Sequence, residues 1–210
     1  MVTREEWIST AVDALDEVSI DQLKVLGLAR RLGVSRSSFY WFFEDPDDLR
    51  AELLAIWERN TEAIVERARR PADTIAAACL GVFECWADPS LYVPALDAAV
   101  RDWARRDDEA ELRMVAADLR RLDALVQMFR RFDVEPTEAL VRARLLYHSQ
   151  VGYYVVGTDE PVEVRMALLQ HYLEAMTGTR ATAAELAEFE AVVAAIAVRQ
   201  SDGPAATPPS

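Results

Sequence analysis

Lysine is almost missing from this 210-residue chain: Lys24 is the only one, so arginine carries nearly all of the basic charge. Cysteine is nearly as rare, and the two that occur, Cys79 and Cys85, are six residues apart. That spacing turns them well apart around a helix, so they cannot pair within one, and they read as small core residues in a reducing compartment. The two histidines, His148 and His171, have no Cys or His near them at ligand spacing, and no metal site is expected. Glycine, with seven residues, is too scarce for many tight turns, and no run alternates with a period of two, which excludes a β fold. Long apolar runs are missing too. The longest, Ala191 to Val198, is far short of the ~20 residues of a membrane-spanning helix. The polar start Thr3-Arg4-Glu5-Glu6 does not read as a signal peptide, so the expectation is a cytoplasmic protein without a membrane partner. No nucleophile, histidine and acid grouping and no phosphate-cradling glycine loop is visible, so no catalytic residue, cofactor or enzymatic activity is expected.

What remains is helical periodicity. Thr3-x-x-Glu6 is a capping-box pattern, and behind it Trp7, Ile8, Ala11, Leu15 and Val18 fall on one side of a first helix ending near Glu17. Two short helices are expected within residues 22 to 43, followed by a long one opened by Pro46, Asp47 and Asp48. Prolines 71, 89, 94, 136 and 161 divide the rest into helices of about 73 to 87, 91 to 106, 108 to 132, 136 to 157 and 161 to 177. Gly178 reads as a C-terminal cap and residues 182 to 199 as a last helix. Two stripes alternate spacings of three and four: Leu112, Val115, Leu119, Leu122, Val126 and Phe129, then Val162, Met166, Leu169, Leu173 and Met176. Both suit bundle packing. The expected organisation is an all-α chain with a three-helix head at 1–46, a helical-bundle body at 47–200 and a disordered tail at 201–210.

The formal net charge of −13 opposes nucleic acid as a partner, since phosphate binding is carried by cations. Locally the balance reverses. Residues 22 to 43 hold Lys24, Arg30, Arg31 and Arg36 and no acid at all, in a chain with 36. DNA responds to the nearby face, within a Debye length of about 8–10 Å, more than to the distant total. Inside this window Val25, Leu28, Ala29 and Leu32 form an apolar face, and Gly33 can take the left-handed conformation that a steep helix-turn-helix needs. Ser35 is placed to cap a second helix, whose N-terminal Arg36, Ser37 and Ser38 would meet base edges in the major groove. Tyr40 and Trp41 would brace the sugar-phosphate backbone, and Phe39 would point inward.

The run Leu28-Ala29-x-x-Leu32-Gly33-Val34-Ser35-x-x-x-Phe39-Tyr40-Trp41-x-Phe43, followed by Leu49, resembles the DNA-binding signature of TetR-type transcriptional regulators over about residues 5 to 57. The resemblance implies a homodimer on double-stranded DNA, with a helical body in which a small-molecule effector controls DNA affinity, most often as a repressor. It carries Arg36, Ser37 and Ser38 over as base readers and Tyr40 and Trp41 as backbone contacts. The pattern breaks elsewhere. Lys24 stands where the family often has Thr, Phe42 where it often has His, and Pro46 replaces a phosphate-binding Lys. The basic N-terminal arm of many members is also missing, which predicts a weaker or differently spaced operator.

For the body, Trp57, Phe83, Trp86, Trp103 and Tyr147 are the candidate ligand-lining residues. Val141, Leu145, His148, Gly152 and Val155 share one side of their helix and, with the stripe of 161 to 177, are candidates for a four-helix dimer interface. The alternative reading is an all-helical binding or adaptor protein with a degenerate head.

Overall fold

The computed structural model describes residues 2–15, 17–157 and 160–201, with no strand among them. The helices are α1 (Arg4–Ala14), α2 (Val25–Arg31), α3 (Pro46–Arg69), α4 (Ile75–Ala87), α5 (Pro94–Trp103), α6 (Asp108–Arg130), α7 (Pro136–Val155), α8 (Val162–Thr177) and α9 (Ala183–Ser201). Two 3-10 segments, Ile20–Gln22 and Arg36–Trp41, flank α2. The all-α expectation holds, and body helix boundaries fall within a few residues of those read from proline spacing. The expected tail lies outside the described residues beyond Ser201. None of the described helices is long and apolar enough to cross a membrane.

Local signals explain most of these ends. Thr3 and Glu6 form the reciprocal capping box of α1. At the start of α3, Asp45 Oδ1 accepts the backbone N–H groups of Asp47 and Asp48, at 2.8 and 2.9 Å. Asp107 Oδ1 likewise accepts from the Ala110 N–H at 2.9 Å, so the acidic start of α6 is a cap that also suits the helix dipole. Gly178 closes α8 in the left-handed conformation at φ 73°.

The chain forms two compact units. One comprises residues 1–62 and 93–119, the other 63–92 and 120–210. In the first, Trp7, Phe39 and Phe43 are fully or almost fully buried, with Trp7 edge-on to Phe39 at 5.3 Å and Phe43 stacked on it at 4.9 Å. Arg4 covers the Phe43 ring at 5.0 Å and pairs with Glu52 at 3.0 Å, tying α1 to α3. Trp57 donates its indole N–H to Asp97 Oδ1 at 2.8 Å, and Arg101 bridges Asp97 to Asp118. This buried polar cluster joins α3, α5 and α6 within that unit. The second unit is built on Cys79, Val82, Cys85, Leu125, Phe129, Leu146 and Leu173, all fully buried. Burial pushes both thiols up to about 12, so they stay protonated at neutral pH.

The two expected stripes are packed in part and exposed in part. On α6, Leu112, Val115 and Leu119 are exposed, and the buried positions include Ala110, Ala117, Ala124, Leu125 and Met128. Alanine at 110, 117 and 124 lets neighbouring elements approach closely, while Leu122, Val126 and Phe129, the second half of the expected stripe, pack into the core of the second unit. On α8, Leu169, Leu173 and Met176 are buried in their own unit, which leaves Val164, Leu168 and Tyr172 as the exposed stripe.

Candidate nucleic-acid interface and ligand cavity

The helix-turn-helix is assembled from α2, a turn at Gly33 and the 3-10 segment Arg36–Trp41. Gly33 sits at φ 66°, a conformation that a Cβ would strain, and its neighbour Val34 donates its N–H to the Ala29 carbonyl at 3.0 Å. The second helix expected here is a 3-10 segment of six residues. Three residues in a row, Arg36-Ser37-Ser38, lead into three aromatics. Serine diverts helix formation into local hydrogen bonds and aromatic side chains lose rotamer freedom in a helix, so the tighter geometry prevails over this short span. Ser35 occupies the N-cap position without capping; its hydroxyl lies 2.9 Å from the Ser37 hydroxyl.

Ser38 requires a correction. It is buried, and its hydroxyl donates to the Ser35 carbonyl at 2.7 Å, so it locks the turn and presents nothing outward. The remaining residues do form one exposed set. Arg36 donates to the Tyr40 hydroxyl at 3.2 Å with its guanidinium 6.0 Å from the ring centre, an i, i+4 pair that ties the two side chains together. Trp41 is 72% exposed, an unusual position for the largest side chain, while Phe39 beside it is fully buried. Lys24 and Arg36 are exposed, and among the described residues no carboxylate lies within ion-pairing distance of Lys24, Arg30 or Arg36. Arg31 differs from them: Glu17 pairs with it at 2.5 Å, so an acid outside the acid-free window reaches into it.

In the second unit a cavity of about 300 Å³ lies among α4, α7, α8 and α9. Of the five candidate ligand residues, Phe83 and Trp86 line it. The other three lie elsewhere. Trp57 belongs to the first unit and is spent on Asp97; Trp103 borders a polar cleft there with Arg50, Arg106 and Arg113. Tyr147 is buried and accepts a hydrogen bond from Arg121 at 3.0 Å. Sequence reasoning missed the polar end of the cavity, where Arg165 lies over the Tyr153 ring at 4.9 Å and the Tyr154 ring at 5.9 Å. Its one sequence signal was a cation set inside the Val162, Met166, Leu169 stripe. Tyr153 donates to Glu160 at 3.3 Å. Burial pushes the Tyr153 hydroxyl up; Arg165 opposes this and Glu160 adds to it, which keeps the hydroxyl a donor.

No protein-family model matches the chain, and no curated protein matches it in sequence. Solved structures do match in fold. AmtR of Mycobacterium smegmatis superposes with a TM-score of 0.63 at 17% identity, over 98% of this chain and 97% of that one. The transcriptional regulator FadR of Bacillus subtilis, solved with stearoyl-CoA, gives 0.59 at 15% identity over 83% and 98%. A Mesorhizobium loti protein described as a TetR-family transcriptional regulator gives 0.55 at 16% over 90% and 95%. The chain therefore has the fold of TetR-type transcriptional regulators along most of its length.

Proposed function

We propose that the chain is a cytoplasmic, homodimeric transcriptional regulator of the TetR type, a repressor that grips duplex DNA through residues 24 to 41 and releases it when a small organic effector occupies the body cavity. The observation that carries this reading is the exposed set Arg36, Ser37, Tyr40 and Trp41, held on a turn whose underside is the buried Trp7, Phe39 and Phe43. Arg36 suits guanine O6 and N7, and the Ser37 hydroxyl suits either base type. Tyr40, Trp41, Ser35 and Lys24 take the sugar-phosphate backbone. A cationic patch on a chain of net charge −13 gives modest, strongly salt-dependent affinity.

The dimer is supported by two exposed apolar stripes, Val141, Leu145 and Val155 on α7 and Val164, Leu168 and Tyr172 on α8. Two copies meeting there make a four-helix contact, and a near-palindromic operator is then read at sites ~34 Å apart. That FadR, with the same fold, was solved with stearoyl-CoA supports an organic effector in this fold. Such a ligand must bind the released state better than the DNA-bound one, or it shifts nothing.

The test is a salt titration on labelled random duplex DNA. Binding at low salt that falls steeply with added salt, and weakens on Arg36→Ala, is the expected result. No binding at low salt, with Arg36→Ala neutral, would leave the adaptor reading in its place. A sedimentation mass of one chain at micromolar concentration overturns the dimer.

A further inference from the structure

The cavity of the second unit is apolar on most of its wall, through residues such as Phe83, Trp86, Met166 and Phe189, and carries a cation at one place, Arg165. Among the described residues no anionic partner accounts for that cation. Several arginines of the unit have anionic or carbonyl partners: Arg67 with Glu84, Arg142 with Glu138, Arg180 with Glu174, Arg199 with Asp88, and Arg131 with the carbonyls of Ala68 and Arg70. Arg69, Arg70, Arg130 and Arg144 have no such partner among the described residues but are exposed to water, whereas Arg165 is half-buried. Among the described residues, Arg165 meets the faces of Tyr153 and Tyr154 and makes a long 3.5 Å contact to the Tyr154 hydroxyl. Among the described residues no carboxylate lies within ion-pairing distance of it. Helix stability does not explain it either, because it stands near the start of α8, the end where the helix dipole disfavours positive charge.

Glu160 lines the same cavity but does not pair with Arg165; its carboxylate accepts the Tyr153 hydroxyl instead. The indole N–H of Trp86, another lining residue, is buried and has no acceptor among the described residues. An arginine fork stacked on aromatic rings has its planar donors preorganised, and a carboxylate matches their spacing. The cavity volume is at the small end of the range for organic ligands.

We infer that this cavity binds a compact organic anion, a carboxylate on an aromatic or branched aliphatic body, and that Arg165 reads its charge. This rests on the reading of the cavity as the effector site. The apolar walls take the body, Tyr153 and Tyr154 hold the guanidinium in place, and the single cation selects acid over amide.

Calorimetry on the full-length chain with naphthoate, naphthamide and naphthylmethylammonium tests it, with benzoate and a branched aliphatic acid as alternative bodies. The expected result is an acid bound about tenfold or more tighter than its amide, the margin of one charge-assisted contact, with the ammonium weakest. Arg165→Met removes that preference while keeping amide affinity and melting temperature; Arg165→Lys keeps part of it. Equal binding of acid and amide, a preference for the ammonium, or failure of every acid to bind the folded protein overturns the inference. A second readout uses a duplex that the protein itself selects from a random pool. Should naphthoate bind through Arg165 and leave affinity for that duplex unchanged, the ligand class stands and the effector reading falls. Should acid and amide release DNA equally, the ligand class falls and the regulator reading stands.

Discussion

Among the places where this protein leaves large apolar groups exposed, two do so with different chemistry. At residues 36–41 the exposed groups are an arginine, a tyrosine that it touches and a tryptophan. On α7 and α8 they are mainly aliphatic, Val141, Leu145, Val155, Val164 and Leu168, at helical spacing. Flat rings beside cations suit a polyanion whose surface offers phosphates and base edges. Branched aliphatics in stripes suit another helix of the same kind. Exposure alone therefore says little about a partner; the chemistry of the exposed set is what supports the two readings proposed above.

The largest expected effect lies beneath the first surface. Phe39→Ala removes a fully buried ring packed on Trp7 and Phe43, and a loss of about 3–5 kcal/mol in urea unfolding is expected, with DNA binding lost together with the head. Retained stability would mean that the exposed set is not held from below. Leu145→Glu puts a charge into the α7 stripe, which is 47% exposed at that residue. Dimer dissociation should rise by at least about 2 kcal/mol, seen as monomer in sedimentation, while monomer stability changes by less than about 0.5 kcal/mol. A dimer that ignores this charge would assign α7 to solvent.

Arg36→Ala should weaken DNA binding by about 1–3 kcal/mol and relax preference at one base position, without moving the melting temperature. A uniform loss over all sequences would make Arg36 a phosphate contact instead. The smallest effect concerns pH. The Arg4 guanidinium, with Arg59 assisting, holds the Glu52 carboxyl below its ordinary value against the opposing effect of burial. A depressed folded value stabilises the head above the ordinary carboxylate range, and the contribution is lost as pH falls through the folded value. Glu52→Gln should therefore shift the unfolding midpoint at neutral pH and make progressively less difference as acid is added. An equal shift at all pH values would show that packing, not charge, is what Glu52 supplies.

Much of the fold was legible because its signals are local. Thr3 with Glu6, Pro46 with two aspartates, Pro136 and Gly178 each fix a helix end through bonds or dihedrals within a few residues. The turn at Gly33 was readable for the same reason, and so was the exposure of Tyr40 and Trp41. Ser38 was not. Whether its hydroxyl faces a base or the Ser35 carbonyl depends on whether the segment is α or 3-10, and six residues of mixed preference do not settle that. The cavity was half legible. Phe83 and Trp86 were found as aromatic residues of the body, but the same argument selected Trp57, which is held by Asp97 forty residues away in the chain.

What the sequence determined by itself is the helical class, the helix ends, the helix-turn-helix frame and the acid-free window around Lys24, all of which follow from residues close together along the chain. The tertiary structure decided the rest. It left Leu112, Val115 and Leu119 of α6 exposed while Phe129 of the same stripe packed inward, turned the Ser38 hydroxyl onto the Ser35 carbonyl, gave Arg31 an acid partner and left Arg165 with none among the described residues. Apart from the Ser38 turn, each of these depends on which distant side chain arrives opposite, and burial and charge pairing are properties of that encounter rather than of the residue alone.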